Sequence, residues 1–372
     1  MADLQMRDVV KKYEKVTAID RLNLTVGDGE LLVLLGRPGA GKTTTLKIAA
    51  GLEPVTAGLV FIGGEDVTLL PAEERDVAMV FETYALYPHL SVFDNISFSF
   101  KAPARSVKVD NAEIKRRVQA LTTMLEISDL MDRRPGELSG GQRQRVAVAR
   151  ALVRNPRLNL MDEPIAHLDA RLRHGLRPDL RNYLKERQVT TLYATTDYIE
   201  ALGMADRVMI LSEGRVVQIG TRQEILSRPA SEKVGELIGI PPMNVIQNAK
   251  PVTVEGRMFL ETNGCRIKIQ SAQQNQIEKK NASTLNIGIY PSEIALMQAD
   301  DPDKPSLRGE VYVYEPLGTK GSLSVKVGNE VLKVQTSARV PKATAGEPVK
   351  LYIDESKIHV FDATDGSNIL AG

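Results

Sequence analysis

Three observations predict an α/β fold with a mostly parallel sheet, followed by a smaller β-rich module of barrel type. Strand-like apolar runs alternate with helical segments between Leu31 and Leu211. A glycine-rich loop, Gly36-Arg37-Pro38-Gly39-Ala40-Gly41-Lys42-Thr43, links the apolar run Leu31 to Leu35 with a helix. Past Val245 the pattern changes to short alternating strands with polar turns. At 372 residues the chain can build two domains, each with its own core.

Composition excludes several classes of partner. With 48 basic and 47 acidic residues, nothing points to nucleic acid or an anionic membrane surface. The single cysteine, Cys265, has no internal disulfide partner, as suits a reducing compartment. No apolar run approaches the roughly 18 residues that cross a bilayer, and Met1 to Asp20 lacks the apolar core of a signal peptide. Any membrane connection is therefore expected to run through a partner.

Leu4 to Val26 alternates apolar and polar residues, as in an antiparallel sheet at the edge of a domain, and contains Tyr13. That ring can stack on an adenine or pack within the small sheet; the segment alone leaves both open. In the glycine-rich loop, successive backbone N–H groups can turn inward around phosphates. Lys42 can reach the β- and γ-phosphates, the Thr43 hydroxyl can ligate Mg²⁺, and the helix continues from Thr44 to a stop at Gly51.

Asp76 to Phe81 reads as a buried strand leading to Glu82. The stretch Thr83 to Phe93 is unusually aromatic, which suits either a docked partner helix or the packing of a helical subdomain. Ile114, Val118, Leu121 and Leu125 mark a helix over Glu113 to Glu126. Ser139, Gly140, Gly141 and Gln142 open a further helix to about Val153, whose N-terminus is either an anion site or an ordinary cap. Leu158 to Asp162 is a strand that delivers two carboxylates before Pro164; Asp162 is placed to hold Mg²⁺ through water and Glu163 to take a proton from an attacking water. A helix over Ala170 to Arg187 and strands at Thr190 to Thr195 and Arg207 to Leu211 complete the sheet. Prolines at 229, 241 and 242 mark a boundary, and the strands Val252 to Leu260, Cys265 to Ile269, Gly309 to Tyr314, Leu323 to Val327, Val331 to Gln335 and Val349 to Ile353 follow it.

The phosphate loop, Leu138-Ser139-Gly140-Gly141-Gln142, and Asp162-Glu163-Pro164, in this order and ahead of a β-module, resemble the ATP-binding subunits of ABC transporters, in the carbohydrate-importer branch. The resemblance covers nearly the whole chain. It implies a nucleotide-binding domain over 1–235 with a helical subdomain at about 84–150, and an OB-like regulatory or dimerisation module over 236–372. It implies ATP and Mg²⁺ as cofactors, bound by Tyr13, Gly36 to Thr44 and Ser139 to Gln142, with Thr43, Glu82 and Asp162 at the metal. Two such subunits would pack head to tail, each signature segment facing the other chain's ATP. The assembly would sit peripherally on the cytoplasmic face of the inner membrane, with two membrane-spanning permease subunits and, indirectly, an extracytoplasmic solute-binding protein. Sugars, polyols and glycerol phosphates all fit this branch.

Several positions depart from that pattern. Glu82 stands where the family has Gln, and Thr196, in Thr195-Thr196-Asp197, stands where it has a switch histidine. Catalysis would then rest on Glu163, Glu82 and Thr196. None of the histidines, His89, His167, His174 and His359, lies near Thr196 in sequence, and no sequence neighbour replaces the missing ring. Ala166 occupies a position where the family usually has Ser. Asn159 puts an amide in a buried strand, where leaving it unpaired costs on the order of 1–3 kcal/mol, so a partner is expected. Pro178 is expected to kink its helix. Glu82 and Thr196 belong to this chain's own site, whereas the signature acts on the other chain's; Ala166, in a loop that the resemblance directs towards the opposite site, is the exception. The expectation is an asymmetric heterodimer with a different ATPase chain and a weakly hydrolytic own site. A homodimer with slow hydrolysis, substitutions without effect, and a regulatory nucleotide-binding protein without a permease are the alternatives.

Overall fold

The computed structural model describes residues 3–101, 109–239, 241–262, 265–280, 282–297, 306–317, 320–337 and 344–370. The chain divides into two compact units, Met1–Arg222 and Gln223–Gly372. The division falls ahead of the 235/236 boundary expected from sequence. Ser231 bridges to Ser367 and the Asn286 amide donates to Glu232 at 2.6 Å, which ties this segment to the C-terminal unit.

The N-terminal unit starts with β1 (Leu4–Tyr13) and β2 (Val16–Val26), which pair antiparallel. Next come β3 (Leu31–Leu35), α1 (Lys42–Ala50), β4 (Ala57–Ile62), the short β5 (Glu65–Asp66) and β6 (Val77–Val80). A helical region follows, with α2 (Val92–Lys101), α3 (Asn111–Met124) and α4 (Gly140–Leu152). The chain returns through β7 (Leu158–Asp162), α5 (Ala170–Glu186), β8 (Thr191–Thr195), α6 (Tyr198–Met204), β9 (Arg207–Ser212) and β10 (Arg215–Gly220).

Two sheets result. One is antiparallel in the order β2-β1-β4-β5; the other has six strands in the order β10-β9-β3-β8-β7-β6, parallel except for the β10 and β9 pair. Strands β3, β7 and β8 are buried at every position, as expected for a parallel sheet covered on both faces. Leu4, Ile19, Leu46, Leu160 and Met209 belong to one apolar core, so both sheets and α1 share it. Gly51, in the left-handed region at φ 76°, ends α1 where the sequence places its stop. The buried Arg75 guanidinium donates to Ile48 O at 2.8 Å and Ala49 O at 3.2 Å, satisfying the last carbonyls of that helix.

Asn159 is a correction. Its residue is 1% exposed and its side-chain oxygen has no hydrogen-bond partner, because the flanking register positions are Ala78, which offers no donor, and Thr191, whose hydroxyl donates to Val189 O instead. Helix α5 continues through Pro178, which sits on its exposed side.

In the C-terminal unit α7 (Arg222–Ser227), at the division, and α8 (Glu232–Leu237) precede two antiparallel five-stranded sheets around a single core. The expected strand Val252 to Leu260 is two strands, β11 (Asn244–Val254) and β12 (Arg257–Thr262). Glu255 and Gly256, both at positive φ, turn the chain back between them. The module is rich in strands, in keeping with the OB-like expectation.

Candidate nucleotide site

The chain leaves β3 at Leu35 and turns through the glycine-rich loop into α1. Gly36 passes so close to β9 that a side chain there would strike Leu211 O at 2.5 Å. Gly41, at φ 104°, leaves no room beside Ile19 and Ala18, so this backbone admits only glycine. Within the loop Ala40 N donates to Arg37 O at 3.1 Å, and Pro38 and Gly39 line the open side. Lys42 opens α1 and is 7% exposed; its ammonium curls back to donate to Gly36 O at 2.8 Å and Arg37 O at 3.4 Å. Burial weakens its hold on the proton, and Glu163, Asp162 and Glu82 strengthen it.

Parallel strands end at the same edge of a sheet, so β6, β7 and β8 deliver Glu82, Asp162-Glu163 and Thr196 to the side where the loop lies. Glu82, Glu163 and Thr196 line a cleft of about 450 Å³ with Lys42, Thr43 and Thr44, and Asp162 lies buried behind it, bonded to Thr43. Asp162 is 2% exposed, and burial pushes its carboxyl up while the Thr43 hydroxyl, which donates to it, pulls it down. Its Oδ1 is buried without a hydrogen-bond partner. An orphaned carboxylate oxygen beside a hydroxyl, with Glu82 in the same cleft, is a donor set that fits a hard divalent cation such as Mg²⁺.

Glu163 takes the left-handed conformation at φ 49°, a strained choice for a residue with a side chain. Three contacts over-determine it. Its N–H donates to Ala194 O at 3.0 Å, its carbonyl accepts from Gln144 Nε2 at 2.9 Å, and its carboxylate accepts from the Thr196 hydroxyl. Burial raises the Glu163 carboxyl, Lys42 at 3.9 Å opposes this, and the Thr196 bond lowers it further. Thr196 therefore bonds the carboxylate in this conformation.

Other expected residues lie elsewhere. Tyr13, 40% exposed at the end of β1, is not among the residues that line the cleft; its hydroxyl bonds Glu53 and Thr44, with the Lys11 ammonium 4.7 Å from its ring centre. Ser139 caps α4 by accepting from Gln142 N, and Gln142 returns the bond to Ser139 N at 2.8 Å. No residue from Leu138 to Gln142 lines the cleft, Gly140 and Gly141 included.

Sequence reasoning missed two residues. Gln144, on α4 and 1% exposed, donates to Glu163 O and accepts from His167 N at 3.2 Å, so one buried amide clamps both ends of the turn that carries the second carboxylate. His167, far from Thr196 in sequence, lines the same cleft. The only available signal was that the loop after Pro164 leaves the same strand end as Glu163.

The family model described as ABC transporter matches residues 19–166. The trehalose/maltose import ATP-binding protein of Thermococcus litoralis is 38% identical over 99% of this chain and 100% of its own length. The sn-glycerol-3-phosphate import ATP-binding protein of Cupriavidus pinatubonensis is 38% identical over 100% of both chains, and the alpha-glucoside transport ATP-binding protein of Rhizobium meliloti is 37% identical with the same coverage. Among solved structures, a dimeric ATP-binding cassette in a post-hydrolysis state, bound to ADP and phosphate, superposes with a TM-score of 0.55 and 28% identity. That match covers 59% of this chain and 98% of the cassette.

Proposed function

The chain belongs to the ABC transporter family of ATP-binding subunits, and from that premise we propose that it energises an importer for a sugar, polyol or glycerol-type solute as one half of an asymmetric ATPase pair. ATP hydrolysis coupled to transport and work with membrane permease subunits follow from the family. No helix among the described residues is long and apolar enough to cross a membrane, which suits a peripheral subunit on the cytoplasmic face.

The observation that carries the asymmetry is the composition of the cleft. Glu82 and Thr196 both line it beside Lys42 and Glu163, whereas the signature segment, with its capping box intact, lies outside it. The loop amides and Lys42 would hold the β- and γ-phosphates, and Thr43 and Asp162, with Glu82, would hold Mg²⁺, which supplies charge neutralisation at those phosphates. Glu163 accepts a proton from the attacking water; its burial makes it a stronger base, and the Thr196 bond offsets part of that gain. Glu82 adds negative charge close to the γ-phosphate. A lost transition-state contact of about 3 kcal/mol slows hydrolysis by two to three orders of magnitude, while nucleotide binding through the loop survives. The intact signature would complete a competent site on a different companion chain.

Purification of the membrane complex through a tag on this chain, with identification of every ATPase subunit in it, tests the reading. A second ATPase chain that carries Gln and His at the two positions supports it. Two copies of this chain and no other would overturn it. In that pair, the double substitution Glu82→Gln with Thr196→His should raise turnover at this chain's site by about a hundredfold.

A further inference from the structure

We propose that His167 donates from its imidazole to the terminal phosphate of bound nucleotide in this chain's own cleft and so favours ATP over ADP, without restoring the transition-state contact that Thr196 is too short to make; the proposal rests on the reading of the cleft as a nucleotide site.

Charge in the cleft makes the need plain. Glu82, Asp162 and Glu163 all act on the single ammonium of Lys42, so three carboxylates surround one cation before a polyanion enters. A bound divalent cation brings this set to neutrality and leaves the charge of the nucleotide's terminal phosphate to be met by hydrogen-bond donors. Of the side chains lining the cleft, only Lys42 and His167 are basic, and the Thr196 hydroxyl is already directed at Glu163.

His167 is held in place by its surroundings. Its backbone N–H donates to the buried Gln144 amide, which also fixes the Glu163 carbonyl, so one group anchors the backbone from which both side chains project. The ring meets the Tyr84 ring edge-on, with centroids 5.9 Å apart and planes at 89°. Tyr84 sits two residues past Glu82, at a positive φ of 65°, and its carbonyl accepts from Arg150 at 3.1 Å. The imidazole makes no hydrogen bond or ion pair among the described residues, so its N–H is available to a ligand in either protonation state. Glu82, Thr196 and His167 thus line one cleft together.

The test compares ATP with ADP, which differ only in that phosphate. Displacement of a fluorescent nucleotide from the full-length chain, with Mg²⁺, gives both affinities for wild type, His167→Ala, His167→Gln and the double variant His167→Ala with Thr196→His. His167→Ala should lower the preference for ATP over ADP about tenfold at unchanged ADP affinity. His167→Gln, which keeps an N–H donor, should retain part of the preference, and the double variant should regain it. ADP affinity reports the integrity of the fold in each variant. An unchanged ATP/ADP ratio in His167→Ala overturns the inference while leaving the nucleotide site standing. Failure of the wild-type chain to bind either nucleotide would overturn both.

Discussion

Glu200 on α6 is 2% exposed, and the hydroxyl of the fully buried Tyr193 on β8 bonds its carboxylate. Burial pushes the carboxyl up to about 8; Arg177 and Arg173 act against that shift, and Glu163 adds to it. In the unfolded chain the group titrates near its ordinary value of 4.5. Between these two values the unfolded chain releases a proton that the folded chain keeps, so this group's effect on stability becomes less favourable as pH rises through that window. The limiting slope is about 1.4 kcal/mol per pH unit, flattening below the lower value and above the upper one. Glu200→Gln keeps the shape and an acceptor for the Tyr193 hydroxyl but has no proton to lose. The variant should be more stable than wild type, and its margin should grow by on the order of 2 kcal/mol between about pH 6 and about pH 8. Urea unfolding of both chains without nucleotide, followed by circular dichroism at a series of pH values, measures the margin. A margin that stays flat or shrinks with rising pH would refute the reasoning, because it would mean that Glu200 is ionised in the folded chain.

Other predictions follow from the same geometry. Asn159→Leu removes a buried oxygen that has no partner and should raise stability by about 1–3 kcal/mol in chemical denaturation. Gln144→Met preserves volume but leaves Glu163 O and His167 N without their shared partner; it should cost about 2–3 kcal/mol and reduce turnover more than nucleotide affinity. Arg75→Met strips donors from the last turn of α1 and should destabilise the chain by about 2–4 kcal/mol, visible as a lowered unfolding midpoint. Lys42→Ala should weaken the binding of nucleotide by about tenfold or more in a fluorescence titration, since it removes the one ammonium that lines the cleft.

The phosphate loop was legible in the sequence because its chemistry is carried by consecutive residues: glycines at fixed spacing, then Lys42 and Thr43, after a run of apolar residues. The parallel sheet was legible for a similar reason, since strands buried on both faces are largely apolar, as in Leu31 to Leu35 and, between two threonines, Leu192 to Ala194. Boundaries inside the C-terminal module were less so. Val252 to Leu260 reads as one strand because Glu255-Gly256 is a turn of only two residues, and its positive φ values leave no mark on apolar periodicity.

The sequence by itself determined that this chain holds a nucleotide-type loop, two carboxylates at a strand end, and a glutamate and a threonine just past two further strand-like runs. Its motifs fixed those facts because each depends on neighbours within a few residues. Only the tertiary structure decided which side chains share one cleft. Parallel strands β6, β7 and β8 end at the same edge, so Glu82, Glu163 and Thr196 meet although more than a hundred residues separate the first from the last. The same edge brings in His167, and a buried amide on α4 holds it there. Proximity across strands is set by sheet order, and sheet order is a property of the whole core.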